Sequence, residues 1–268
     1  MKLALVRDLI TAEVRRRISY RADFWISAVS SLAVRLGVSW FIVQAVFAGS
    51  GRAGIAGYDQ REMFLYYLAV ILVGKLVQTT ELEQSISQDI YEGGLTRHLL
   101  YPVPYGVVKY LQQLGALGPA LIQILVFGAW IPFVIGFPSG LSWSGVVMGI
   151  AAIAVANLLN FLITFPIQLI AFWADNVWSL MVMHRFASAL LGGMLAPLAF
   201  FPESAQRVLE ALPFRYLFAF PVETLMGRVS PAEWAIGMAV AVGWCGVMAL
   251  AGRAVWRRGT FQYTGVGI

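Results

Sequence analysis

Long apolar stretches alternate with short polar ones along this chain, and six of the stretches are long enough to cross a bilayer, which takes about 20 residues of helix. They run over residues 24–48, 63–79, 114–137, 143–172, 177–201 and 234–255. The second and third are separated by the longest internal polar interval, residues 81–113, which carries Glu81, Glu83, Asp89, Glu92, Arg97 and Lys109. Within it, residues 85–90 read as a short helix, Gly93-Gly94 as a break, and Tyr101-Pro102-Val103-Pro104 as a stop. Residues 202–229 mix apolar and charged positions. Pro202, Pro213 and Pro221 divide them into pieces too short to cross a hydrocarbon core of about 30 Å. These pieces read as short helices that dip into the outer leaflet and return. Pro119 and Pro132 mark kinks in the third span, which membrane helices tolerate when neighbours pair the freed carbonyls. The first 22 residues place Leu3, Val6, Ile10, Val14 and Ile18 at three- and four-residue steps, with Arg7, Asp8, Thr11 and Arg15 opposite them. This predicts an amphipathic helix lying in the interface plane. The fold class that follows is an all-α integral membrane protein: six transmembrane helices over residues 23–268, an N-terminal amphipathic interfacial helix over 1–22, and short re-entrant outer helices before the last span.

Composition supports the membrane reading. The chain is 59% hydrophobic and only 12% charged, against roughly 25% charged in soluble domains; its mean hydropathy is +0.75. The net charge of +5 does not form a nucleic-acid patch. It gathers at the chain ends, in Lys2, Arg7, Arg15, Arg16, Arg17 and Arg21 and in Arg253, Arg257 and Arg258. An even number of spans puts both flanks on one side, and the excess of Lys and Arg assigns that side to the cytoplasm. The single cysteine, Cys245, lies in an apolar run and reads as a small packing residue. No cleavable signal peptide is apparent, since Leu3–Val6 is too short for a signal core.

The chemistry that enzymes need is not nominated by any spacing. There is no Gly-rich phosphate loop, no His-Glu-x-x-His pair, no cysteine pair and no nucleophile–base–acid set, so no catalytic residue, metal site or cofactor is assigned to this chain. The ionisable residues inside the spans are cationic: Arg35, Lys75 and Arg185. A proton-driven carrier more often buries carboxylates, and no repeat relates residues 24–137 to 143–256, as many secondary transporters would show.

The order of elements, together with the stretch Gln88-Asp89-Ile90-Tyr91-Glu92-Gly93-Gly94-Leu95-Thr96-Arg97-His98-Leu99-Leu100-Tyr101-Pro102-Val103-Pro104, resembles the transmembrane subunit of an ABC exporter of the ABC-2 type. The tail Trp256-Arg257-Arg258-Gly259-Thr260-Phe261-Gln262-Tyr263 is similar to the ending of one ABC-2 branch, in which two related permease chains pair with one ATPase and some members are assigned to export of cationic drugs such as viologens. The resemblance implies a partner ABC ATPase in two copies, which would bind the ATP and Mg; a second permease chain, identical or similar; and residence in a bacterial inner membrane. It implies that Asp89, Ile90, Glu92, Gly93, Gly94, Leu95, Arg97, Pro102 and Pro104 form an ATPase-coupling helix, with the N-terminal helix packed near the same ATPase. It places Lys75, Gln78, Asn157, Trp178, Met181, His184 and Arg185 along a translocation path. The cations Arg35, Lys75 and Arg185 weigh against a dicationic substrate. The alternative reading is a stand-alone secondary transporter, proton- or ion-coupled, for a hydrophobic or cationic substrate. A membrane enzyme or assembly scaffold forms the third class.

Overall fold

The computed structural model describes residues 21–50, 54–78, 84–128, 136 and 140–264. The expected N-terminal amphipathic helix and Glu81 and Glu83 fall outside these residues, apart from Arg21 and Ala22 at the start of the first helix. Every regular element among the described residues is helical: α1 Arg21–Ser50, α2 Gln60–Val77, α3 Ser85–Tyr91, α4 Leu95–Leu99, α5 Tyr105–Gly128, α6 Trp143–Leu169, α7 Trp178–Leu191, α8 Glu203–Ala211, α9 Ala219–Leu225 and α10 Pro231–Gly259. Short 3₁₀ turns at Ile170–Phe172, Leu198–Phe200 and Pro213–Leu217 join some of them.

Four helices among the described residues are long and apolar enough to cross a membrane: Trp25–Gly49, Tyr105–Gly128, Trp143–Phe172 and Pro231–Gly259. The two other expected spans are shorter helices. α2 has 18 residues, about 27 Å of helix, and carries charge at both ends in Arg61, Glu62 and Lys75. Its body is well buried, with Met63, Tyr66, Val70, Val73 and Val77 closed off. α7 has 14 residues, about 21 Å, because Gly192-Gly193 stops it inside the expected span 177–201. Gly193 takes φ +85°, and a Cβ there would meet Tyr66 Oη and Ala219 Cβ. The turn is held by Tyr66 Oη donating to Gly193 O at 2.7 Å and Ala219 N–H donating to Gly192 O at 2.9 Å.

The third span also begins earlier than its hydropathy suggests. Helix starts at Tyr105, so the polar interval ends at Pro104 and not at Gln113. Val108 and Leu111 bury one face of this first stretch while Lys109 and Gln113 are buried as well, which makes its composition look like a loop. The short pieces at 202–229 are present as α8, the 3₁₀ turn and α9. Pro221 does not divide them; it sits in the first turn of α9, where its missing N–H costs no bond.

α6 is the central element, packed against α10, α9, α2 and α3. Its face toward α9 and α10 is made of small residues, Gly145, Gly149, Ala152 and Ala156. α10 answers with Gly237, Ala241, Cys245, Gly252 and Gly259. Without side chains in the seam, bulky neighbours approach the backbone directly, as membrane helices require when no hydrophobic effect drives them together. A Cβ on Gly149 would lie 2.3 Å from Leu225 Cδ2, and one on Gly237 2.4 Å from Phe220 Cε2. Trp234 Nε1 donates to Met148 O at 3.1 Å and fixes the register at one end. Ser230 and Glu233 form a capping box that starts α10 at Pro231, ahead of the expected Trp234.

Gly237→Val should destabilise the detergent-solubilised protein by about 1–3 kcal/mol through overpacking against the buried Phe220 ring, read as a lower unfolding temperature. Gly243→Val, where a Cβ meets nothing within 4 Å, should leave that temperature unchanged.

Candidate functional site

The polar interval folds into a bracket, α3–turn–α4, that caps one end of the bundle. The turn needs glycine: Gly93 has φ +73°, a left-handed conformation that other residues adopt only with strain. Ile86 and Ile90, one turn apart on α3, and Leu95 on α4 are closed into an apolar cluster with Phe161, Phe165 and Leu169 of α6 and Phe172 beyond it. Ile86 N–H donates to Gln168 Oε1 at 3.1 Å, so α6 supplies an acceptor for the start of α3. Tyr91 Oη donates to Ala174 O at 3.0 Å. Tyr263, in the tail, donates to Gly93 O at 2.9 Å and accepts from Thr96 N–H at 3.2 Å, binding both sides of the turn. Trp256 stacks on Tyr105 with ring centroids 5.1 Å apart.

The electrostatic centre of the bracket is Asp89. Its Oδ2 accepts from Tyr105 Oη at 2.8 Å and pairs with Lys109 Nζ at 2.8 Å, with His98 Nε2 at 3.4 Å. Lys109 is 7% exposed and also donates to Ser85 O at 3.3 Å. Burial lowers the pKa of His98 and outweighs the opposing pull of Asp89; the ring is neutral at pH 7. Charge-assisted bonds of this kind are roughly twice as strong as neutral ones. The result is a short helix pair fastened to α5, α6 and the tail at several points.

The expected coupling residues therefore divide by position. Asp89, Ile90 and Leu95 turn inward and hold the bracket; Gly93 and Gly94 form its bend; Pro102 and Pro104 end it. Glu92 and Arg97 point outward, beside exposed Leu99, Tyr101 and Leu100, the last 83% exposed. Tyr105, Lys109, Gln168, Trp256 and Tyr263 are not among the expected coupling residues, yet they carry the attachment. The spacing of Tyr105 and Lys109, one helical turn apart, would have put both on one face once residues 105–113 were read as helix.

The residues expected along a path fall into two groups. At the bracket end of α2, Lys75 Nζ donates to Gln123 Oε1 of α5 at 2.9 Å, and Gln78 forms the C-cap. The Asn157 amide donates to Leu76 O at 2.7 Å and that of Asn160 to Val77 O at 3.1 Å. Asn157 is thus engaged in pairing the open carbonyls of α2. On α7, Met181 and His184 are buried, with His184 3.4 Å from Ser188 Oγ, whereas Trp178 and Arg185 face outward.

At the opposite end of the bundle a second charged cluster ties the short helices together. Arg215 bridges Glu210 at 2.7 Å and Glu223 at 3.3 Å. Arg228 donates to Glu62 Oε2 and to Gly57 O, each at 2.8 Å, and its guanidinium lies 3.7 Å over the Tyr58 ring. Burial, with Glu223 adding to it, pushes the Tyr58 phenol up to about 12, so this ring stays neutral beneath its cation.

Lys109→Met should strip Asp89 of its cation and weaken the bracket locally by about 1–3 kcal/mol, a factor of roughly five or more in opening. Trypsin cleavage after exposed Arg97 should accelerate by that factor, and Lys109→Arg should restore most of the protection.

Residues 33–267 match the family model described as ABC-2 family transporter protein. No curated protein matches the chain. The match runs from within α1 through the tail, across the membrane-crossing helices and the bracket alike. The chain belongs to the ABC-2 transporter family and is a multi-pass membrane permease of the ABC transporter type.

Proposed function

We propose that this chain is the permease subunit of an ATP-driven exporter, forming its path with a second permease chain, identical or similar, and coupled to a separate ATPase present in two copies. ATP and Mg bind in that partner. The observation that carries the reading is the bracket, which is fixed rigidly on its inner side by Asp89, Ile90, Leu95 and Tyr263 and presents Glu92, Arg97, Leu99, Leu100 and Tyr101 outward. A docking element must be stiff enough to pass on a push and must show a mixed polar and apolar face to its partner.

The route of the push follows from the attachments. Displacement of the bracket acts on α6 through Ile86–Gln168 and the aromatic cluster. α6 in turn holds the end of α2 through Asn157 and Asn160. In this reading α2 and α7 add two crossings to the four long helices, giving six, and the chain beyond Gly193 completes the α7 crossing. Lys75 and Gln78 on α2 and Trp178, Met181, His184 and Arg185 on α7 line the path. The exposed apolar side chains Val182, Met183 and Phe186 of α7 support a second permease chain there. The cationic flanks place both termini on the cytoplasmic side of a bacterial inner membrane, with the 202–229 helices outside.

Two tests follow. Glu92→Arg or Ser87→Pro should leave the protein inserted and the partner ATPase active, while transport falls by about tenfold, the equivalent of ~1.4 kcal/mol; unchanged transport removes the bracket from the coupling role. With Cys245 replaced by Ala, a cysteine placed at either terminus should react with an impermeant thiol reagent only after cells are permeabilised. Labelling of one end in intact cells would overturn the six-crossing topology.

A further inference from the structure

Beside the bracket, a groove of about 500 Å³ opens between α5, α6 and α10, within the range of about 300–1,000 Å³ usual for small-molecule sites. Its walls are apolar: Val107, Leu158, Phe165, Ala249 and Trp256. Small residues make the space, since Ala249 and Gly106 line it where larger side chains would fill it. α5, α6 and α10 are three of the membrane-crossing helices, and the groove lies at their bracket end, where Tyr105 and Trp256 stack.

Two of the polar side chains that line the groove, Arg253 and His98, bear on what it holds. Arg253 is exposed at its edge and makes no ion pair among the described residues. One further helical turn along α10, Arg257 is likewise exposed. His98 also lines the groove. It is 6% exposed, and its Nδ1 is buried without a hydrogen-bond partner. Because Nε2 faces the Asp89 carboxylate at 3.4 Å, the proton of the neutral ring belongs on Nε2, which leaves Nδ1 as an acceptor. A buried acceptor left open is costly, and a hydroxyl donor is the partner that fits it.

An apolar slot in the membrane, an arginine at its edge with no ion pair among the described residues and a buried, unsatisfied acceptor on His98 at its polar end together describe one kind of ligand. We propose that the groove binds an anionic, hydroxyl-bearing glycerophospholipid of the phosphatidylglycerol class from the leaflet at the bracket end. One acyl chain lies against Ala249, Leu158 and Leu162, the phosphate sits on Arg253, and the headgroup hydroxyl is directed toward His98. Seated there, the lipid contacts the same Tyr105–Trp256 pair that fastens the bracket, so its occupancy stiffens the coupling element. The site depends on the membrane fold and not on which partner the bracket meets.

Native mass spectrometry of the full chain, purified in mild detergent with whatever subunits accompany it, tests this with equal amounts of phosphatidylglycerol and phosphatidylcholine added. Phosphatidylglycerol should be retained roughly fivefold over phosphatidylcholine, the equivalent of about 1 kcal/mol for one arginine at an anionic lipid. Arg253→Gln should abolish the preference. Ala249→Trp, which fills the groove from an exposed position, should remove the retained lipid while the unfolding temperature without added lipid stays unchanged. Equal retention of the two lipids, or a preference that survives both substitutions, overturns the proposal. Glycerol phosphate in excess should not displace the lipid; displacement would show a free-phosphate site and would likewise overturn it.

Discussion

A lysine almost wholly removed from solvent needs an anion beside it, and much of this protein's architecture at one end follows from the pairing of Lys109 with Asp89. An unpaired ammonium there would be several kcal/mol out of balance. Asp89 comes from α3 and Lys109 from α5, so their attraction folds the intervening chain back into a bracket. Tyr105 and His98 complete the shell around the same carboxylate oxygen. Once α3 is held in that place, Ile86, Ile90 and Leu95 meet the aromatic end of α6, and the tail closes over the turn through Tyr263. A segment with the composition of a surface loop becomes part of the rigid body.

The second constraint is the membrane itself, in which buried backbone groups must be paired within the protein. α2 ends inside the bundle, and its last carbonyls are taken up by Asn157 and Asn160 of α6. α7 ends inside it as well, and Tyr66 and Ala219 take up the carbonyls of Gly193 and Gly192. The small residues of α6 and α10 let Leu225 and Phe220 of α9 come up against their backbones. α6 thereby touches each working part: the bracket at its C-terminal end, α2 at its middle, and α9 at its N-terminal end.

Local signals in the sequence were sufficient for much of this. Residues 85–90 as helix, Gly93-Gly94 as a bend, the Pro102–Pro104 stop, the extent of 143–172 and the short pieces after Pro202 all follow from turn chemistry and length. The family was legible as a resemblance carried by residues 88–104. What escaped is whatever depends on contacts distant in the chain. Which of the expected coupling residues turn inward, as Asp89 does, could not be read without knowing that Lys109 lies on the helix behind it. Asn157 reads as a polar residue in a span, and only the end of α2 beside it reveals a cap. The apolar run through 177–201 masked the break at Gly192-Gly193, because hydropathy counts residues and not backbone conformation.

The claim at the centre of this account is that the outward face of the bracket meets an ATPase. A photo-crosslinking residue at position 92, activated in native membranes and followed by mass spectrometry of the purified adduct, tests it directly. A single major adduct to a protein bearing a nucleotide-binding P-loop is expected, with the adduct lost when the crosslinker is moved to the buried position 90. A chain that purifies without any nucleotide-binding protein, and whose position 92 captures none, would contradict it and return the stand-alone carrier to the front.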